Sequence, residues 1–180
     1  SIYTVERPDP NRDPVYTRLE GPLAPGQVAV IFLAQNVTSS APSQTFCPKG
    51  TVAALEVDPI RHGTTMTKAF HLETDAPVAA YSIFPYGGAS SEYPTATLLL
   101  PVSSWDESYI AISTAKFRSV EASPFDRRTL QIVANEDDTE VAMRPTVDIL
   151  QGDGVESTAA GDVARWKLSK GDVLQITQFD

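Results

Sequence analysis

The chain has 180 residues, 42% hydrophobic and 21% charged, with 14 Pro and 10 Gly. That is length enough for one substantial core or two small ones. Its longest apolar run, from Val28 to Ala34, is far below the roughly 20 residues of a membrane-spanning helix, and no basic-plus-apolar leader stands at Ser1. Its 23 acidic against 14 basic side chains give a net charge of −9, which repels a phosphate backbone, so nucleic acid is excluded as a partner. Most of the imbalance falls late: residues 1–90 carry 6 basic and 8 acidic groups, residues 91–180 carry 8 and 15.

Residues 1–20 are polar and interrupted by Pro8, Pro10 and Pro14. Proline resists both helix interiors and central strands, so this stretch is expected to be an arm or an edge segment. From Gly21 onward, runs rich in Val, Ile, Thr and aromatics alternate with Gly/Pro/Asp clusters, the pattern of short antiparallel strands. In chain order, strands are expected at 28–33, 52–57, 67–72, 78–84, 95–100, 109–114, 130–134, 140–144, 147–150, 164–168 and 173–177. Residues 28–33 and 78–84 are apolar on both faces and are expected to be core strands covered on two sides.

In Leu130-Gln131-Ile132-Val133-Ala134 and Glu140-Val141-Ala142-Met143-Arg144, apolar and polar residues take turns, as half-buried strands require. The polar link Asn135-Glu136-Asp137-Asp138-Thr139 predicts that these two form a hairpin. Ser103 to Ser108, with a serine cap and early acids, is the single short helix expected. The fold class that follows is all-β: an antiparallel β-sandwich with almost no helix. Leu23-Ala-Pro-Gly-Gln-Val28 and Leu168-Ser-Lys-Gly-Asp-Val173 share Leu-x-x-Gly-x-Val, a turn motif that hints at two similar lobes. The expected division is 1–20, then 21–117, then 118–180, with a break where Ser123-Pro124 and Arg127-Arg128 interrupt the strands.

Little in the chain carries reaction chemistry. Gly87-Gly88-Ala89-Ser90-Ser91 lacks Gly-x-Ser-x-Gly, and His62 and His71 read as structural or exposed. One cysteine, Cys47, and two histidines cannot build a cysteine-based zinc site. Oxygen ligands cluster at 135–140 and 152–156, but without calcium-loop spacing they read as solvated turns. The chain is therefore expected to be non-catalytic, without cofactor or metal. Asn36-Val37-Thr38 matches a glycosylation acceptor, relevant in a eukaryotic secretory setting. Tyr81, Phe84, Tyr86, Tyr93 and Trp105 bracket the small-residue segment 85–94. Such aromatics either form a recognition patch, with Tyr86, Tyr93 and Trp105 as ligand-binding candidates, or cap the core around a long loop.

Thr74-Asp75-Ala76-Pro77-Val78, Leu98-Leu99-Leu100-Pro101, the acidic turn from Leu130 to Val141, and Leu168 to Leu174 follow one another in an order that resembles the N-terminal domain family named for the IgG Fc-binding protein of mucus. The resemblance runs over 21–180. It implies an extracellular or cell-surface module for adhesion or ligand binding, with a protein or glycan surface ligand and no catalysis; no motif here carries over Fc binding itself. It further implies a chain that continues past Asp180, where a cysteine could pair with Cys47. From another class comes the alternative of a structural subunit, self-assembling into a fibre or surface appendage through exposed strands.

Overall fold

The computed structural model describes residues 1–35, 46–57, 59, 61–84, 86, 95–112 and 129–177. The expected break at 117–128, the glycosylation acceptor at Asn36, Tyr93 and most of the 85–94 loop lie outside them. Among the described residues are ten strands: β1 (Ile2–Glu6), β2 (Val15–Arg18), β3 (Ala29–Ile31), β4 (Thr65–Lys68), β5 (Ala80–Phe84), β6 (Thr95–Leu99), β7 (Thr129–Val133), β8 (Thr139–Met143), β9 (Ala164–Leu168) and β10 (Asp172–Thr177). The protein is all-β, and β1 pairs antiparallel with β2 and β3, β10 with β4 and β7, and β8 with β9. The helix expected at 103–108 is a single 3-10 turn, Val102–Ser104, whose cap position is Pro101 and which has no side-chain cap. The chain divides into two units, Ser1–Ile60 with Tyr81–Leu98, and Arg61–Ala80 with Leu99–Asp180.

In the first unit the sheet order is β2-β1-β3. The segment expected to be an arm or edge thus supplies both the central strand and one edge strand. Its prolines fall between β1 and β2, where no ladder bond is lost, and the buried Tyr3 anchors β1 in the core. The strand expected at 52–57 is reduced to a parallel bridge between Ala34 and Leu55. The Ala54 and Leu55 amides donate to Phe32 and Leu33 carbonyls. β5 and β6 pair with each other alone, and β5 is exposed along nearly all its length, with Phe84 at 65%. The expectation that 78–84 is a doubly covered core strand is corrected: its apolar run is flanked by one strand, and no described layer packs on it. β3 is likewise an edge strand, half-buried at best.

The doubly covered strand is instead β10, central in the order β4-β10-β7 and buried from Val173 to Thr177. Leu174 and Ile176 enter an apolar cluster with Ala134, Ile149, Val155, Ala164 and Leu168, and Ile132, Val141 and Met143 pack against it. The alternation read in both late strands therefore holds. β10 also buries polar groups. The Gln175 amide nitrogen donates to the Arg61 and Gly63 carbonyls at 2.8 and 2.7 Å, and its oxygen accepts from Gln131 at 2.9 Å. Thr177 donates its N–H to the Thr64 hydroxyl at 3.0 Å. Buried polar groups persist only when bonded in this way. Gln175→Ala is expected to lower unfolding free energy by about 2 kcal/mol, because it orphans two carbonyls and the Gln131 amide; urea denaturation measures the loss.

The expected hairpin between 130–134 and 140–144 does not form. β7 pairs with β10, and β8 pairs with β9. Val133 faces Val173 on one side of a break and Thr139 faces Leu168 on the other, so β7 with β8, and β9 with β10, run as two long antiparallel strands interrupted at the same place. The acidic link 135–138 is thus a corner. Asp137 accepts from the Lys170 amide at 3.0 Å, Asp138 pairs with Lys167 at 2.7 Å, and Thr139 bonds the Glu136 carbonyl. A loop this short can close a hairpin, but β7 takes the buried central strand β10 as its partner and β8 takes β9. The expected strand at 147–150 shrinks to a bridge between Ile149 and Thr158, and 109–112 form none.

The repeated Leu-x-x-Gly-x-Val sequence folds twice into one turn. Gln27 N–H bonds the Ala24 carbonyl and Asp172 N–H the Ser169 carbonyl, while the Gln27 and Asp172 side chains accept from the amides of Ala24 and Ser169. Gly26 and Gly171 sit at φ of 80° and 79°, which explains the shared glycine. The turns lead to different places: β3 is an edge strand and β10 a central one.

Asp172 also accepts from Lys68, whose hydrogen bond, with that of the Ser169 amide, holds the carboxyl below its ordinary pKa. A depressed folded-state pKa stabilises above the unfolded value near about 4 and loses that contribution as pH falls through the folded value. The melting-temperature gap between the wild type and Asp172→Asn is therefore expected to be full at neutral pH and to close under strong acid.

Candidate functional site

Tyr86, the described member of the loop aromatics, is held by the core of the first unit. Its ring stands edge-on to Phe32 at 5.3 Å and to Tyr16 at 6.4 Å, and its hydroxyl bonds that of Tyr16 at 2.9 Å. Burial first, and then this hydrogen bond, push the Tyr16 hydroxyl above its ordinary pKa. Tyr3 completes the group, accepting from the Val52 amide at 2.8 Å. Tyr86 thus takes the core-capping role. Trp105 belongs to the second unit, just after the 3-10 turn, and is 43% exposed. Its N–H bonds the Val102 carbonyl. The structure does not gather Tyr86 and Trp105 into one unit, and Tyr93 lies outside the described residues.

Cys47 is half-buried against the Tyr3, Phe32 and Ala53 cluster and is free of a disulfide within the chain. Burial raises its thiol pKa, so it is protonated and slow to react at neutral pH. His71 lies on the surface 3.7 Å from Glu73. No group of three His, Cys, Asp or Glu side chains suited to a metal occurs among the described residues. The acidic residues near 152–156 serve a tight turn, in which Gly152 and Val155 exchange both backbone bonds while the Asp153 carbonyl accepts from Met66. No helix of the described residues is long and apolar enough to cross a membrane.

A surface concavity that sequence reading missed lies in the second unit. A groove of about 360 Å³ is lined by Met66, Gly154, Glu156 and four consecutive β9 residues, Arg165, Trp166, Lys167 and Leu168. Four successive residues can line one groove only if it follows a strand edge. β9 alternates: Ala164 and Leu168 are buried and Trp166 half-buried, while Arg165 and Lys167 are exposed. The sequence signal was a tryptophan between two cations in the most acidic half of the chain. Local pattern marks these residues only as an alternating strand, because the groove is completed by Met66 and the turn at Gly154.

The fold and this groove define an all-β protein with an open groove running along one of its strands. Residues 95–180 match the model of the family described as IgGFc binding protein, so this part of the chain is similar to that family. The matched span includes Leu98 to Pro101, the acidic corner and the turn at Gly171, and begins after the Thr74 to Val78 motif. No curated protein and no solved structure matches the chain.

Proposed function

We propose that the protein is a non-catalytic binding module of the extracellular or cell-surface kind, which holds a protein ligand on a strand-built surface of its second unit. The observation that carries this reading is the family match over residues 95–180, the span that also contains four of the seven groove residues as one strand edge. A sheet surface suits the task because main-chain groups supply affinity and alternating side chains supply specificity. Glycans remain within the same class of ligand through Trp166 and the exposed Trp105, since aromatic rings offer large contact area at low entropic cost.

The chain immobilised and exposed to purified immunoglobulin Fc, and to panels of purified secreted proteins and glycans, is expected to retain at least one protein saturably. Failure to retain any member overturns the reading. A second reading, assembly of copies into a surface fibre, is favoured by one observation: β5 and β6 form a two-stranded sheet whose large apolar residues, Tyr81, Phe84 and Leu98 among them, are exposed. Two strands alone are marginally stable in water. Light scattering showing a monomer at high concentration counts against it.

A further inference from the structure

We propose that the free edge of β9, with the groove beside it, receives an extended acidic peptide as an added strand. The proposal rests on the binding-module reading and names the chemistry of its ligand.

Among the described residues β9 has one strand neighbour, β8, to which all five of its residues are registered, from Ala164 opposite Met143 to Leu168 opposite Thr139. In an antiparallel ladder alternate residues aim N–H and C=O away from the partner. Among the described residues no backbone group of Ala164 to Leu168 is bonded to anything beyond β8. The donors and acceptors that β9 aims away from β8 are therefore unmet among the described residues, on the strand whose residues 165–168 line the groove. The floor is set back: Gly154 carries no side chain there, and beyond its absent Cβ position the nearest atom is the Met66 Cγ, at 3.4 Å.

The side chains set the chemistry of the occupant. An added strand shares the pleat of β9, so residues opposite Arg165 and Lys167 lie on its exposed face and those opposite Trp166 on the apolar face. Lys167 is held by Asp138 at 2.7 Å, whereas Arg165 has no ion partner among the described residues. Acidic side chains at alternate positions would meet Arg165, and apolar ones between them would meet Trp166 and Met66. Glu156 is the one acidic residue of the groove wall, leaving it net basic on a chain of net charge −9.

A second copy of the same edge is disfavoured. Antiparallel pairing of two β9 strands about Trp166 places Arg165 of each against Lys167 of the other, and like charges directly opposite destabilise a sheet. Charged edge residues commonly serve only to prevent strand-to-strand aggregation. That role and acceptance of an acidic strand differ in what they predict for peptides.

The probe is a fluorescein-labelled heptapeptide of alternating glutamate and valine, titrated into the full chain and read by anisotropy. Saturable binding is expected, weakened at least about tenfold when lysine replaces glutamate and again when alternate peptide amides are N-methylated. Arg165→Glu changes an exposed side chain; it is expected to keep the melting temperature, weaken the acidic peptide about tenfold and strengthen the lysine peptide. No binding of the acidic peptide, or binding indifferent to N-methylation or to Arg165→Glu, overturns the proposal. If the peptide fails while the chain retains a protein from the panel, the strand-addition proposal falls and the binding-module reading stands.

Discussion

Replacing Gly152 with alanine is expected to destabilise the second unit by about 4 kcal/mol or more, near the upper end of what single substitutions do. A Cβ built on Gly152 would stand 1.6 Å from the Thr64 carbonyl oxygen and 2.4 Å from its carbonyl carbon. Both obstacles are backbone, so no rotamer change relieves the clash. Thr64 cannot yield without cost, because its hydroxyl accepts from the Thr177 amide and bonds the Thr177 hydroxyl at 3.0 Å inside the core. Gly152 cannot withdraw freely either, since it exchanges two hydrogen bonds with Val155, and the next residue, Asp153, bridges to β4. Chemical denaturation should show the loss, and the groove wall at Gly154 should be displaced with it. An alanine variant with an unchanged urea midpoint would mean that the 150–156 segment does not sit against Thr64.

Phe32→Ala is expected to cost about 3–5 kcal/mol in the first unit, as for other large-to-small changes at buried aromatic sites. Phe32 is 6% exposed, and its ring meets Tyr3, Tyr16 and Tyr86 at centroid separations of 6.0, 5.7 and 5.3 Å. Edge-on aromatic contacts add to area burial. Among the described residues the small apolar cluster around it has Tyr3 and Ala53 as its other buried members, so few packed neighbours stand ready to fill the cavity. Near-UV circular dichroism, sensitive to the packed tyrosines, should lose intensity at a lower urea concentration. Retention of the wild-type midpoint would show that the aromatic cluster does not hold this unit together. The same geometry makes Tyr86 a stabilising residue, so a loss of binding on its replacement has to be read together with stability.

The late strands were legible because their signal is local. In β7 and β8 each residue's exposure follows from its own type at period two, and the core cluster collects the expected Ile132, Ala134, Val141 and Met143. The repeated glycine turns were legible for the same reason: a positive φ at Gly26 and Gly171 is a requirement on one residue. The hairpin was misjudged at the acidic link. Five polar residues specify that the chain turns, and the partner that each flanking strand meets is set by contacts with β9 and β10, far along the sequence.

Burial of uniformly apolar runs was the other quantity that local pattern could not supply. Residues 78–84 are the more apolar run and 173–177 include Gln175 and Thr177, yet among the described residues β5 has one strand neighbour and is exposed, while β10 has two and is buried, its polar side chains bonded. Nor could the sequence show that Tyr86 is occupied by Tyr16 and Phe32, or that Arg165, Trp166 and Lys167 border a groove with Met66 and Gly154.

By itself, then, the order of residues determined the strand class, the turn chemistry and the family likeness of the later half, since each depends on side chains a few positions apart. Tertiary structure alone decided which strand is central, which aromatic is consumed in packing and which edge stays open, because those follow from contacts between segments far apart along the chain.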